Sequence, residues 1–200
     1  MSSDALIVEI KDQVLHLTIN RPEKRNALNL RLLDEIGDAF AAHAEHPEIK
    51  LALLTGAGEK AFAAGGDLKE LNTVRSEEDS FAMSRRGRRA LDQIRYFPLP
   101  VVAAINGLAL GGGAELCLAC DLRIAAIHAE IGLIQSRLNV TTAWGGGIDL
   151  LDLVGHSRAL QMLITAQRLG AAEALQLGII NAIADADFAA SVDNLSLIHI

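Results

Sequence analysis

The sequence predicts an α/β domain. Three observations carry that prediction. Short runs rich in Val, Ile and Leu alternate with helical stretches along the chain. Half of the 200 residues are hydrophobic and 22% are charged, which suits one sizeable core under a charged surface. Two small-residue loops, around Gly65-Gly66 and at Gly111-Gly112-Gly113, each open into a helix, where only glycine lets the backbone turn and be approached closely.

Leu6–Ile10 and Val14–Ile19 are β-rich and separated by Lys11-Asp12-Gln13, which predicts a hairpin. Asn20-Arg21-Pro22 ends the second strand. Asn29 caps a predicted helix from Leu30 to about Glu45, with Leu32, Leu33, Ile36 and Phe40 on one stripe. Leu51–Thr55 is a short buried strand closed by Gly56-Ala57-Gly58. Phe62 to Leu68 reads as a loop opening into a short helix. Ser76 to Arg95 is helical until Pro98 and Pro100. Val101–Ile105 is a strand feeding the second glycine loop, and Leu122–Ala126 is another strand. Ile148–Val154, Ser157–Ala166 and Ala171–Leu177 are helical.

A net charge of −7 disfavours unspecific nucleic-acid binding. Val101 to Cys120 is long enough to span a bilayer, but Asn106, Glu115 and its glycines argue for a buried strand–turn–helix instead. Met1 to Asp12 has neither a basic start nor a long apolar run, so no secretory signal and no membrane partner are expected. Cys117 and Cys120 form a C-x-x-C. A redox pair or half a metal site with His128 is the sharper alternative. Without a second pair, and inside an apolar helix, they are expected to pack as reduced thiols, with no metal bound and a cytoplasmic location. Arg85-Arg86-Gly87-Arg88-Arg89 is a solvated helix face, a phosphate contact or an RNA patch.

Chemistry concentrates in Ile105 to Leu116. Glycines before a helix leave bare N–H groups at its start, where the dipole favours an anion, and Glu115 follows within about one turn. An anion hole beside one acid–base group suits reactions through an oxyanion or enolate. Taken alone, the same run also fits a glycine-rich turn beside a partly buried Glu.

Ala61-Phe62-Ala63-Ala64-Gly65-Gly66-Asp67-Leu68-Lys69, followed by Asn106 to Leu116, closely resembles the enoyl-CoA hydratase/isomerase (crotonase) superfamily. Asn20 to Leu28 and Ala119-Cys120-Asp121-Leu122-Arg123 are similar to its other signatures. The resemblance covers residues 5 to about 190. It implies a crotonase-type spiral of repeated β-β-α units, an acyl-CoA substrate, no cofactor beyond the coenzyme A of that substrate, and assembly as a homotrimer or hexamer. It also implies that the family's C-terminal helical region, which supports trimer contacts and covers part of the CoA site, is largely missing. One domain over 1–194 is expected. Leu195 to Ile200 matches one reading frame of a transposon adapter used in sequencing libraries and is expected to be a non-native tail.

By resemblance, backbone N–H groups of Gly66 and Gly112 meet the thioester oxygen, and Glu115 is the first catalytic glutamate, which positions and activates water. Ala64 meets the adenine, and Lys24, Ala27 and Lys69 line the CoA path. Counting fourteen residues on from Asp121, where hydratases carry a second glutamate, reaches Gln135, an amide that cannot give or take a proton. Trp144, before Gly145-Gly146-Gly147, either narrows the acyl pocket toward short chains or packs behind the loop. These two departures are similar to the ethylmalonyl-CoA and methylmalonyl-CoA decarboxylase branch. Three expectations follow: an acyl-CoA lyase of the hydratase/isomerase type, a malonyl-type decarboxylase, or a non-catalytic RNA-binding relative. Arg137 is the weak candidate for a substrate carboxylate, and a surface position is the alternative.

Overall fold

The computed structural model describes residues 5–184 and Phe188. The expected hairpin is β1 (Leu6–Lys11) and β2 (Val14–Ile19), paired from Leu6↔Ile19 to Lys11↔Val14. Asp12 and Gln13 make its turn at φ 50° and 64°, the two positive values that a tight right-twisted hairpin requires. Asn29 caps α1 (Leu30–His43) by accepting the Leu32 N–H at 2.8 Å, and the expected apolar stripe is buried. β3 (Leu51–Gly56), β4 (Ala61–Ala63), α2 (Leu68–Leu71) and α3 (Glu77–Arg95) follow, with Ser76 and Asp79 forming a reciprocal capping box. Then come β5 (Val101–Ile105), β6 (Leu108–Leu110), α4 (Gly112–Leu118), β7 (Leu122–Ala125) and β8 (Glu130–Gly132). α5 (Gly146–Val154), α6 (His156–Thr165), β9 (Leu169–Gly170), α7 (Ala171–Gln176) and β10 (Ala182–Ile183) complete the described chain.

Two sheets organise these elements. One runs β1-β2-β3-β5-β7-β10, parallel from β2 onward; the other runs β4-β6-β8-β9, parallel up to β8. The chain visits them alternately, β3 then β4, β5 then β6, β7 then β8, with helices between rounds. That is a spiral of β-β-α turns, as the resemblance implies. Sequence pattern alone predicts strands of the first sheet only, and not its two-residue β10. The strands of the second are two or three residues long, shorter than any alternation that periodicity can register, and stacking of successive turns sets them.

The main core lies between the sheets and under α1 and α3, where Phe40 and Phe97 meet edge to face at 5.2 Å. Cys117 and Cys120 are buried in it as free thiols, and burial pushes Cys117 up to about 12 and Cys120 higher still. The domain end at 194 and the tail from Leu195 to Ile200 lie outside the described residues.

Candidate active site

The two glycine loops pack on each other. Gly111, at φ 55°, turns β6 into α4, and Gly112 is the first helical residue. A Cβ on Gly113 would overlap the Ala63 carbonyl, so only glycine lets the start of α4 lie against β4. A Cβ on Gly111 would stand 3.9 Å from the Cα of Gly65. First-turn N–H groups have no intrahelical acceptor, and among the described residues none accepts from Gly112. Gly66 is in the same condition. Its neighbours are pinned, Leu28 N–H to Gly65 O and Asp67 N–H to Leu28 O, both at 2.8 Å, while its own N–H takes part in neither bond.

Buried polar groups hold the first loop. Arg21 donates to Asp67 Oδ2 at 3.0 Å and to the Ala27 carbonyl, and its backbone N–H meets Asn26 Oδ1 at 2.9 Å. Asn26 donates in turn to the carbonyls of Ala57 and Ala61. Burial alone would raise the Asp67 carboxyl. The Arg21 guanidinium, the Lys69 N–H and the nearby Lys24 charge hold it below its ordinary range. Lys24 and Ala27 share a turn, and Ala64 N–H bonds Arg25 O at 3.0 Å, so Lys24, Ala27, Ala64 and Gly66 are neighbours. Lys24 and Lys69 are exposed; Ala27 and Ala64 are half-buried.

Glu115 projects from α4 and is 2% exposed. Its Oε2 accepts the N–H groups of Trp144 at 2.9 Å and Gly146 at 3.0 Å; its Oε1 accepts Gln135 Nε2 at 2.9 Å. Burial pushes the carboxyl above its ordinary range, against these donors and that of Ala143, which pull it down. Gln135 Oε1 is a buried acceptor with no partner among the described residues. The approach of 143–146 needs glycine twice. A Cβ on Gly146 would lie 2.5 Å from Glu115 Cγ, and Gly145 sits at φ 103° against the Arg95 guanidinium.

A cleft of about 230 Å³ opens beside this cluster. Gly66, Asp67, Met83 and Trp144 line it; Glu115, Gly112, Gln135, Ala64, Lys24, Ala27 and Lys69 do not. Trp144, 6% exposed, joins the two regions: its ring faces the cleft and lies against Gly112, while its N–H holds Glu115. It both walls the cleft and packs behind the loop. Sequence reasoning missed the donors of Trp144 and Gly146, and Arg95, which bonds the Trp144 carbonyl at 2.9 Å. A charge beside the buried stripe Gly87, Ala90, Leu91, Ile94 of α3 is the only sequence trace of that role.

Other candidates have ordinary partners. Arg137 is exposed and bonds the Ala166 carbonyl. In the basic cluster Arg86 pairs with Asp34, and Arg88 stands 4.0 Å from Asp92. Among the described residues no helix is long and apolar enough to cross a membrane.

The family described as Enoyl-CoA hydratase/isomerase matches residues 9–192. The chain is 39% identical over 181 residues to a crotonyl-CoA hydratase of Syntrophomonas wolfei, covering 90% of this chain and 69% of that protein. It is 37% identical over 188 residues to a short-chain-enoyl-CoA hydratase of Clostridium acetobutylicum, covering 92% and 70%. It superimposes on the crystal structure of an enoyl-CoA hydratase from Bacillus anthracis with a TM-score of 0.89 at 36% identity, covering 98% of this chain and 75% of that one. The chain, with its spiral of β-β-α turns, paired glycine loops and buried Glu115, belongs to the enoyl-CoA hydratase/isomerase family and is an enzyme of it.

Proposed function

We propose that this enzyme adds water to short-chain enoyl-CoA thioesters, with Glu115 as its one proton-transfer group. The observation that carries the proposal is the Glu115–Gln135 pair. Glu115 Oε1 accepts from Gln135 Nε2, and the adjoining Gln135 Oε1 is a buried acceptor with no partner among the described residues. A water donating one proton to Glu115 Oε1 and the other to Gln135 Oε1 is held with a lone pair free. As that oxygen bonds the β-carbon, its proton passes to Glu115 and charge moves onto the thioester oxygen. The N–H groups of Gly66 and Gly112 receive that charge; one such donor is worth about 3 kcal/mol of barrier. Protonated Glu115 then returns the proton to the α-carbon, so one water is added and the carboxylate is restored. Burial, which favours the neutral acid, suits a group that must take a proton and give it back.

The same reading gives Ala64 to the adenine and Lys24, Ala27 and Lys69 to the CoA path, and needs no cofactor besides the coenzyme A of the substrate. The turn that Lys24 and Ala27 share, with Ala64 bonded to its Arg25 carbonyl, supports the first three. Trp144, walling the cleft, favours short acyl groups. A homotrimer or hexamer in the cytoplasm completes the reading; exposed Ile148, Leu151, Leu160 and Ile164 on the packed pair α5 and α6 support assembly.

One observation favours a second reaction. The amide of Gln135 leaves Glu115 without a second proton-transfer group bonded to it, and decarboxylation of a malonyl-type thioester needs no base, since loss of CO2 makes the same enolate, which then takes one proton. Assay with crotonyl-CoA, methylmalonyl-CoA and ethylmalonyl-CoA separates the two. Hydration is expected to dominate, to fall at least about 100-fold in Glu115→Gln, and to rise in Gln135→Glu. CO2 release without hydration overturns the first reading in favour of the second.

A further inference from the structure

We infer that Arg95, with Asp149 behind it, is the positioning residue that aims the backbone donors of Trp144 and Gly146 at Glu115. The inference rests on the reading of Glu115 as the proton-transfer group.

One face of α3 carries Ser84, Gly87 and Arg95, and each meets the segment 143–146. Ser84 Oγ donates to the Ala143 carbonyl at 2.9 Å. Gly87 lies so close to the Trp144 indole that a Cβ there would overlap it. Arg95 Nη2 donates to the Trp144 carbonyl at 2.9 Å. The backbone of Trp144 is thus held on both sides of its Cα, N–H on Glu115 and carbonyl on Arg95. Two bonds on opposite sides of one residue fix its rotation, and with it the direction of the Gly146 N–H two residues on.

Arg95 is itself immobilised. Nε and Nη2 grip both oxygens of Asp149 at 3.0 and 2.7 Å, and Nη1 holds Asp92 at 2.8 Å. The Arg95 and Asp149 side chains are 15% and 17% exposed, so water competes little. Asp149 sits in the first turn of α5, and its N–H returns to Gly145 O at 3.2 Å. The fork therefore ties the end of α3 to the start of α5 across the segment that serves Glu115. Lysine cannot replace it, because a point charge lacks the planar geometry that reaches a carboxylate and a carbonyl together.

Loosening this tie withdraws donors that favour ionised Glu115. Few other charges stand near. α4 packs closely on β4, β6 and α5; β4 and β6 carry no ionisable side chain, and α5 carries Asp149 and Asp152. α4 itself holds Cys117 besides Glu115.

The test compares Arg95→Met, Arg95→Lys, Asp149→Asn and Glu115→Gln. Its readouts are kcat, KM, the pH profile on crotonyl-CoA, and the emission of Trp144, the one tryptophan of the chain. Arg95→Met is expected to lower kcat up to about 100-fold with KM within about 2-fold, since misplacement of a catalytic group by an ångström costs that much. Its acid limb moves to higher pH and its Trp144 emission shifts red. Arg95→Lys and Asp149→Asn fall between it and the parent. A folded Arg95→Met with parental pH profile and emission overturns the inference. Should it fail to fold, Ser84→Ala, which removes one bond to the same segment, must give a smaller change in the same direction, and parental behaviour there overturns it equally. Full activity of Glu115→Gln sinks the reading of Glu115, while the emission still reports whether Arg95 holds the segment.

Discussion

Glu115 is a buried carboxylate and Asp67 a half-buried one, and their environments push them in opposite directions. Asp67 faces a guanidinium, and its carboxyl is held low despite burial. Its contribution to stability is present above the ordinary carboxylate pKa and lost as pH falls through the lower folded value. Asp67→Asn is expected to cost about 3 kcal/mol at pH 7, the penalty for leaving a buried Arg21 unpaired, and the difference from the parent closes in strong acid. Glu115 has neutral donors only, and burial raises it. The folded state then binds a proton that the unfolded chain has released, so stability declines as pH rises from the ordinary carboxylate value through the raised one. Glu115→Gln is therefore expected to raise Tm at pH 7, by about 2–4 °C for each kcal/mol recovered, with the gain fading below about pH 4. Thermal melts of both variants across pH check the two signs, and equal slopes would contradict them.

At the scale of elements, α3 does more than cover the core. Its buried stripe packs on α1, and its flank holds the segment that serves Glu115. Gly87 is the point of closest approach. By propensity, alanine in mid-helix gains about 1 kcal/mol over glycine. Here the new Cβ meets a rigid indole, and overpacking costs about 1–3 kcal/mol. The ring's open side is the cleft, so Gly87→Ala is expected to push Trp144 into it, raise KM several-fold and change Trp144 emission with helix content intact. Unchanged KM and emission would mean that the ring has room elsewhere.

For the whole molecule, two sheets visited alternately bring together loops far apart in sequence. Gly66 lies in the turn after β4 and Gly112 opens the helix that follows β6, and these strands are parallel neighbours. Any residue following one strand must then stand beside the residue following the next. The same stacking leaves α5 and α6 at one end with Ile148 58% and Ile164 67% exposed. Self-association through this face is expected, checked by sedimentation across a concentration series. Ile148→Lys with Ile164→Lys should lower the sedimentation coefficient, and identical profiles would remove the face from consideration.

Local pattern decided much of this protein. Alternation and caps place the hairpin, α1, α3, β3, β5 and β7 within one or two residues, because each is long enough to express its period. The glycine run singled out Glu115, and the family resemblance singled out Gly66, Gly112 and Gln135. Folding decided how they meet. The second sheet, the hold of residues 143–146 on Glu115, the direct bond from Gln135, and the Arg95–Asp149 fork join positions 20 to 54 residues apart. Such pairings depend on the stacking of successive β-β-α turns, which no short window of residues encodes.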